Sequence, residues 1–388
     1  MGKRSRHKLR HQHKSIHSNV KNTHDQHSTT RLNQSNNTSN HDIIDLTQSY
    51  LYPLTHTQLH QLCTTQFFTH SNRTQQWCNI LHIDTRMIKA IEWDVGQYHN
   101  NTYTTQIDKD VPRSFHHLCA HHRDGHIESL QYKLLLLLNH MFNQHPGWHY
   151  VQGYHDIVSV VLIAVKDFDL AYYIVEKMTE TRLIDYLRTT LDCVVDTHLA
   201  LIYPLLKLID SELYQSITRT GLESHFSLSY ILTLFSHNLT DIHIITQLYD
   251  YILLSHPSIH IYLFVALLVS RRGDLLQCTE LTEVHTYFQA LQAGDIDLYY
   301  IIQLSYQYYI MYPPDILANY SHIKFYDTSP LLQPAHVTAT QSLLYRAQYK
   351  LQQPSIRRTL LAAAIPTISV LLYAVNTYMS THVIQGQR

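Results

Sequence analysis

Glycine and proline are scarce in this 388-residue chain, at 9 and 11 residues, so the dense turns that a β-sandwich or barrel needs are missing. Five cysteines, Cys63, Cys78, Cys119, Cys193 and Cys278, stand apart with no CxxC pair. That spacing argues against a zinc knuckle or a disulfide scaffold and fits a reducing compartment. Net charge is nearly absent as well: at −1 the chain offers a polyanion no global field, and no nucleic-acid partner is expected. No GxSxG elbow, Walker lysine loop, GxGxxG or HExxH occurs, so ordinary catalysis on a substrate of its own has no candidate residues.

What the chain does have is apolar residues, 45% of the total, recurring at helical rather than alternating spacing. Ile127, Leu130, Leu134, Leu137 and Met141 step by three and four and place one stripe on one helix face. His145, Pro146 and Gly147 break that element, and Tyr154, Ile157, Val161 and Val165 form the next stripe. The pattern predicts an all-α fold, with these two segments as antiparallel helices joined by a short loop. Histidine is abundant at 31 residues, and pairs such as His116 with His117 and His121 with His122 have ligand chemistry. No carboxylate partner set accompanies them, so the richness reads as compositional drift and no metal site is assigned.

Four regions follow from these patterns. Residues 1–42 are polar and basic, with Lys3, Arg4, Arg6, Lys8, Arg10 and Lys14, and too poor in apolar surface to fold alone. No apolar h-region or myristoylation pattern is present there. Residues 43–325 form the expected helical domain, in which Pro313 and Pro314 stop a helix containing Leu298, Ile301, Ile302 and Tyr309. Residues 326–356 read as a linker, and 357–388 as a C-terminal tail anchor. Within that anchor, Thr359 to Met379 is 21 residues without a charge, about 30 Å of helix, preceded by Arg357 and Arg358. The basic pair is expected to keep the body on the cytosolic side of the membrane. A second apolar run, Ile259 to Val269, reads as a core helix, with a second membrane segment as the alternative.

Two short segments about forty residues apart carry the chemistry: Ile107-Asp108-Lys109-Asp110-Val111-Pro112-Arg113 and Tyr150-Val151-Gln152-Gly153. They resemble the IxxDxxR and YxQG motifs of TBC domains, the Rab GTPase-activating proteins. Arg73 and Trp77 match the family's opening RxxxW, and Tyr230 to Phe235 resembles its later aromatic helix, with Tyr230 where tryptophan is common. The stretch Tyr150 to Val158, with the terminal span, looks most like the endoplasmic-reticulum-anchored subgroup. The resemblance covers roughly Arg73 to Tyr312.

It implies a TBC-type helical domain that accelerates GTP hydrolysis by a partner and turns over no substrate of its own. Arg113 and Gln152 take the catalytic positions. An always-charged planar donor suits the phosphoryl oxygens of the transition state, and an amide can donate to phosphate while accepting from the attacking water. Asp110, Tyr150 and Gly153 are expected to support them, with Asp110 either orienting Arg113 or capping a helix, and Arg73 and Trp77 to stabilise the fold. No cofactor of its own is expected, since GTP and Mg²⁺ belong to the partner. That partner is implied to be a GTP-bound Rab of Rab1/Ypt1-like or Rab18-like type, met on an endoplasmic-reticulum or early secretory membrane. A non-catalytic, membrane-anchored Rab-binding scaffold is the alternative.

Overall fold

Every regular element of the computed structural model is helical among the residues it describes, which are 68–93, 101–118, 124–290, 296–335, 337 and 339–352. The chain divides into the units Met1–Leu46 and Thr47–Arg388, and all described residues belong to the second. In chain order come α1 (Arg73–Ile80), α2 (Thr104–Asp110) with the 3₁₀ turn Val111–Arg113, α3 (Asp124–Gln144), α4 (Tyr154–Ala164) and α5 (Phe168–Met178). A run of π and 3₁₀ turns then leads into α6 (Ile202–Ile209), α7 (Ser211–Arg219), α8 (Leu228–Leu232) and α9 (Ile242–Leu254). The remainder is α10 (Ile259–Ser270), α11 (Arg272–Leu275), α12 (Leu281–Ala290), α13 (Leu298–Met311), α14 (Pro314–Ser321) and α15 (Ala339–Gln352).

Local sequence explains many of these boundaries. Asp167, Asp210, Asp241 and Asp297 are N-caps whose carboxylates accept from Leu170, Leu213, His243 and Tyr300 backbone N–H groups. Each satisfies a donor that a helix start leaves without an intrahelical partner. Pro314 occupies the first turn of α14, where its missing N–H costs nothing, and α13 ends at Met311 just before the proline pair.

The centre of the fold is α10, whose residues Ile259 to Leu268 are buried on every side as it packs against α13, α6 and α8. This excludes the membrane alternative for Ile259 to Val269. Twelve residues make about 18 Å of helix, too short for a bilayer core, and protein surrounds them. Its one imidazole, His260, meets His198 Nδ1 at 3.0 Å and the Tyr186 hydroxyl at 3.1 Å. No helix among the described residues is long and apolar enough to cross a membrane. The apolar span 359–379 lies outside the described residues, as do residues 1–42.

Within the stretch read as a linker, the structure places the 3₁₀ turn Pro330–Leu332 and α15, which packs on α13. Ser329 donates to buried Asp185, His256 meets the Gln333 carbonyl at 2.8 Å, and Ser342 donates to the Met311 carbonyl at 2.6 Å. Polar bonds of this kind leave little apolar signature in a sequence.

Candidate functional site

The segment from α2 into its 3₁₀ turn buries Ile107, Asp110 and Val111 and leaves Arg113 exposed. Tightening to three residues per turn eclipses side chains three apart, which brings Arg113 over Asp110. Arg113 Nη2 donates to Asp110 Oδ1 at 2.6 Å, yet the arginine side chain stays 51% exposed while the aspartate is 1% exposed. Its other N–H groups meet no acceptor among the described residues. Gln131 of α3 steadies the turn by donating to the Pro112 and Ser114 carbonyls at 3.0 and 3.3 Å.

Asp110 stands at the N-cap position of the 3₁₀ turn, but its side chain makes no capping bond. Its Oδ1 also accepts from Gln106 at 3.2 Å, and its Oδ2 accepts from the Tyr150 hydroxyl at 2.7 Å. That second bond ties the Arg113 turn to the loop between α3 and α4. Burial pushes the Tyr150 phenol well above its ordinary pKa and the Asp110 bond adds to this, so Tyr150 keeps its proton as a donor. Tyr150 also packs edge-on against Phe142 of α3.

Gln152 is exposed and its amide has no partner among the described residues. The next residue, Gly153, is the N-cap of α4 with φ of 107°, in the region where a side chain is strained. A Cβ there would stand 3.1 Å from Thr233 Cγ2, so a side chain would strain the backbone and also push on the segment after α8. Arg113 and Gln152 therefore stand exposed on two segments that share one clasp, buried Asp110 with half-buried Tyr150.

Sequence reasoning did not single out the groups beneath that clasp. His155, in the first turn of α4, places Nδ1 3.2 Å from the Tyr150 hydroxyl and 3.3 Å from the Gly153 amide. Asp156 accepts from His237 Nδ1 at 2.9 Å. A polar His-Asp pair opening an otherwise apolar helix was the available signal. Burial works to raise the Asp156 carboxyl, but the His237 bond and the neighbouring histidines outweigh it and hold the carboxyl below its ordinary value. The same bond raises His237.

Arg73 and Trp77 of α1 lie away from this clasp. Arg73 Nε and Nη2 and Trp77 Nε1 all donate to Asp250 of α9, and the Phe68 amide donates to the same carboxylate. Burial pushes Asp250 up to about 6, against the pull of these donors. Tyr230, at the family's tryptophan position, is buried against Phe264 and Phe288, and its hydroxyl donates to the Phe288 carbonyl at 3.3 Å. No group of three or more histidine, cysteine or acidic side chains able to hold a metal occurs among the described residues.

The body is all-helical among the described residues, and the Rab-GTPase-TBC domain model matches residues 70–276, more than half of the chain. The chain belongs to that family. Among curated relatives it is 28% identical to TBC1 domain family member 20 of Mus musculus over 250 residues, covering 64% of this chain and 61% of that protein. It is 30% identical to GTPase-activating protein gyp10 of Schizosaccharomyces pombe over 145 residues, 37% of this chain and 38% of that one. The chain thus spans about three fifths or less of the length of these relatives. The fold is similar to that of the Chlamydomonas flagellar RabGAP TBC domain, with a TM-score of 0.52 at 15% identity over 66% of this chain and 85% of that one.

Proposed function

We propose that this protein is a GTPase-activating protein for a Rab-family GTPase, with Arg113 and Gln152 entering the partner's active site together. The observation that carries this reading is that both side chains are exposed while one clasp, buried Asp110 with half-buried Tyr150, fixes the segments that bear them. In the partner, GTP and Mg²⁺ supply the reacting groups. The Arg113 guanidinium neutralises charge on the phosphoryl oxygens as the bond to the leaving group lengthens, and Gln152 orients the attacking water. Asp110, Tyr150 and Gly153 support these two residues, and Arg73 and Trp77 hold the body. Preset positions matter because charge stabilisation costs least when the donor does not have to reorganise.

The proposal extends to the whole chain. Residues 43–325 comprise the GTPase-activating domain, and 359–379 anchor it in the endoplasmic-reticulum or early secretory membrane, restricting it to Rabs of that membrane, of Rab1/Ypt1-like or Rab18-like type. Sharing a surface raises encounter frequency without any new contact.

The test is single-turnover GTP hydrolysis by a Rab panel with the full chain in liposomes. Acceleration of at least one Rab is expected, falling by about 10³-fold or more in Arg113→Ala. Should GTP-loaded Rab bind without faster hydrolysis, the protein is a scaffold and the catalytic reading fails. Fractionation of a fluorescent fusion with and without 359–379 tests the anchor; a fusion that stays soluble with the segment present refutes it.

A further inference from the structure

His155 is 4% exposed and sits where the two halves of the site meet. Its Nδ1 lies 3.3 Å from the Gly153 amide, 3.2 Å from the Tyr150 hydroxyl and 3.7 Å from Asp110 Oδ2. The Tyr150 proton is committed to Asp110, and the Gly153 N–H points at the ring, so Nδ1 acts as an acceptor. The single ring proton of neutral His155 then occupies Nε2, which faces Asp156 Oδ1 at 3.3 Å. Gly153 follows Gln152 directly, so one imidazole grips the backbone of the glutamine loop and borders the carboxylate that holds Arg113.

We propose that neutral His155 is a positioning residue that keeps Arg113 and Gln152 in register, and that a proton on its Nδ1 disarms both at once. A proton there sets two donors, Nδ1–H and the Gly153 N–H, against each other and releases the glutamine loop. It also creates a cation beside Asp110 that competes with Arg113 for the same carboxylate. The charged and titratable groups facing this ring are Asp156 on its own helix, Asp110 and Arg113 from α2 and its turn, Tyr150 from the loop, and His237 from the segment after α8. Behind Asp156 stand His117 and, from α9, Tyr249. Burial holds His155 below the ordinary histidine range, with Arg113 and His237 acting in the same direction and Asp156 and Asp110 opposing. His237, raised by its bond to Asp156, takes up its proton first.

The inference rests on the GTPase-activating reading, and two variants of the full chain separate the two. His155→Asn places an amide oxygen near the Nδ1 position, able to accept from Gly153 but unable to titrate. His155→Gln reaches toward Asp156 and leaves the Gly153 N–H without its acceptor. Rab hydrolysis is measured from about pH 7.5 to 5 and divided at each pH by the Rab's own rate, a window that brackets the ordinary histidine value. The wild type is expected to lose stimulation at the acid end, below the ordinary histidine range. His155→Asn is expected to stay within about 3-fold of wild type at neutral pH and to lose the acid limb. His155→Gln is expected to fall by about 10²-fold, the scale of a small misplacement of reacting groups. Superimposed profiles for wild type and His155→Asn, or full activity in His155→Gln, overturn the inference alone; a wild type that accelerates no Rab overturns the reading beneath it. If His155→Gln does not fold, the Gly153 amide nitrogen shift in ¹⁵N-glycine protein decides. It is expected to titrate in wild type and not in His155→Asn, and a flat response in wild type overturns the proposal.

Discussion

Two of the chain's arginine–aspartate pairs, Arg73 with Asp250 under α1 and Arg113 with Asp110 beside the loop after α3, are built to opposite ends. Arg73 is 9% exposed and commits two guanidinium nitrogens to Asp250, one of which also donates to the Phe68 carbonyl. Arg113 commits one nitrogen to Asp110, its side chain stays 51% exposed, and its other N–H groups meet no acceptor among the described residues. In both cases the carboxylate is buried and shared with an aromatic donor, Trp77 in one and Tyr150 in the other. The difference lies in how many arginine donors remain unspent. A pair buried on both sides can only hold structure, because removing either partner strands a buried charge. A half-saturated one gives a cation of fixed position that can still meet a phosphate.

Substitutions can break this comparison, and the largest effect is expected at Arg113. Arg113→Ala should reduce Rab-stimulated hydrolysis by about 10³ to 10⁵-fold, equivalent to about 4 to 7 kcal/mol, while lowering stability by only about 1–2 kcal/mol. Gln106 and Tyr150 still donate to Asp110 in that variant, which limits the stability loss. Arg113→Lys should recover little, because an ammonium lacks the fork. Urea unfolding paired with the hydrolysis assay checks both numbers, and equal losses in the two would erase the distinction drawn here.

At the other pair the order should invert. Arg73→Ala or Asp250→Ala should cost about 3–5 kcal/mol of stability, read as a shift in the urea midpoint. Whatever fraction stays folded should keep its activity per molecule; a specific loss of catalysis would place Arg73 in the site after all. A smaller effect is expected at Gly153→Ala, about 1–3 kcal/mol, from the strained φ together with the close approach of Thr233. Its activity should drop more than its stability, because the strain falls beside Gln152.

The smallest effect is a pH dependence set in the core. Burial keeps His260 well below the ordinary histidine range, with His198 adding to the shift. Below about pH 6.5 the unfolded chain therefore binds a proton that the folded chain refuses, so stability is intact at neutral pH and declines on acidification. His260→Gln should flatten that decline by on the order of 1 kcal/mol between about pH 7 and 5.5, measured by urea unfolding at both values. An unchanged slope would mean that other groups set it.

The helical class, the break after α3 and the proline stop at the end of α13 were legible in sequence, because periodicity, His145-Pro146-Gly147 and Pro313-Pro314 act locally. The residues offered for chemistry came from the resemblance of Ile107 to Arg113 and Tyr150 to Gly153 to the TBC motifs, and folding joins these two segments through Asp110 and Tyr150. The role of Asp110 was not legible. Whether it caps a helix or carries an arginine depends on where Tyr150 lies, forty residues on. Asp250, His155 and His237 were invisible as partners for the same reason: each acts on a residue that the chain brings near only on folding. The stretch after 326 has the sequence character of a linker because α15 attaches by polar contacts and tyrosine packing rather than by an apolar stripe.

By itself, then, the sequence determined the helices, their ends and the resemblance that pointed to Arg113 and Gln152, since hydrophobic period, capping and proline sterics are short-range. Only the tertiary structure decided which arginine is spent and which is free, because that depends on carboxylates buried by distant segments. Folding gave Arg73 a fully donated Asp250 and left Arg113 with a single bond to Asp110.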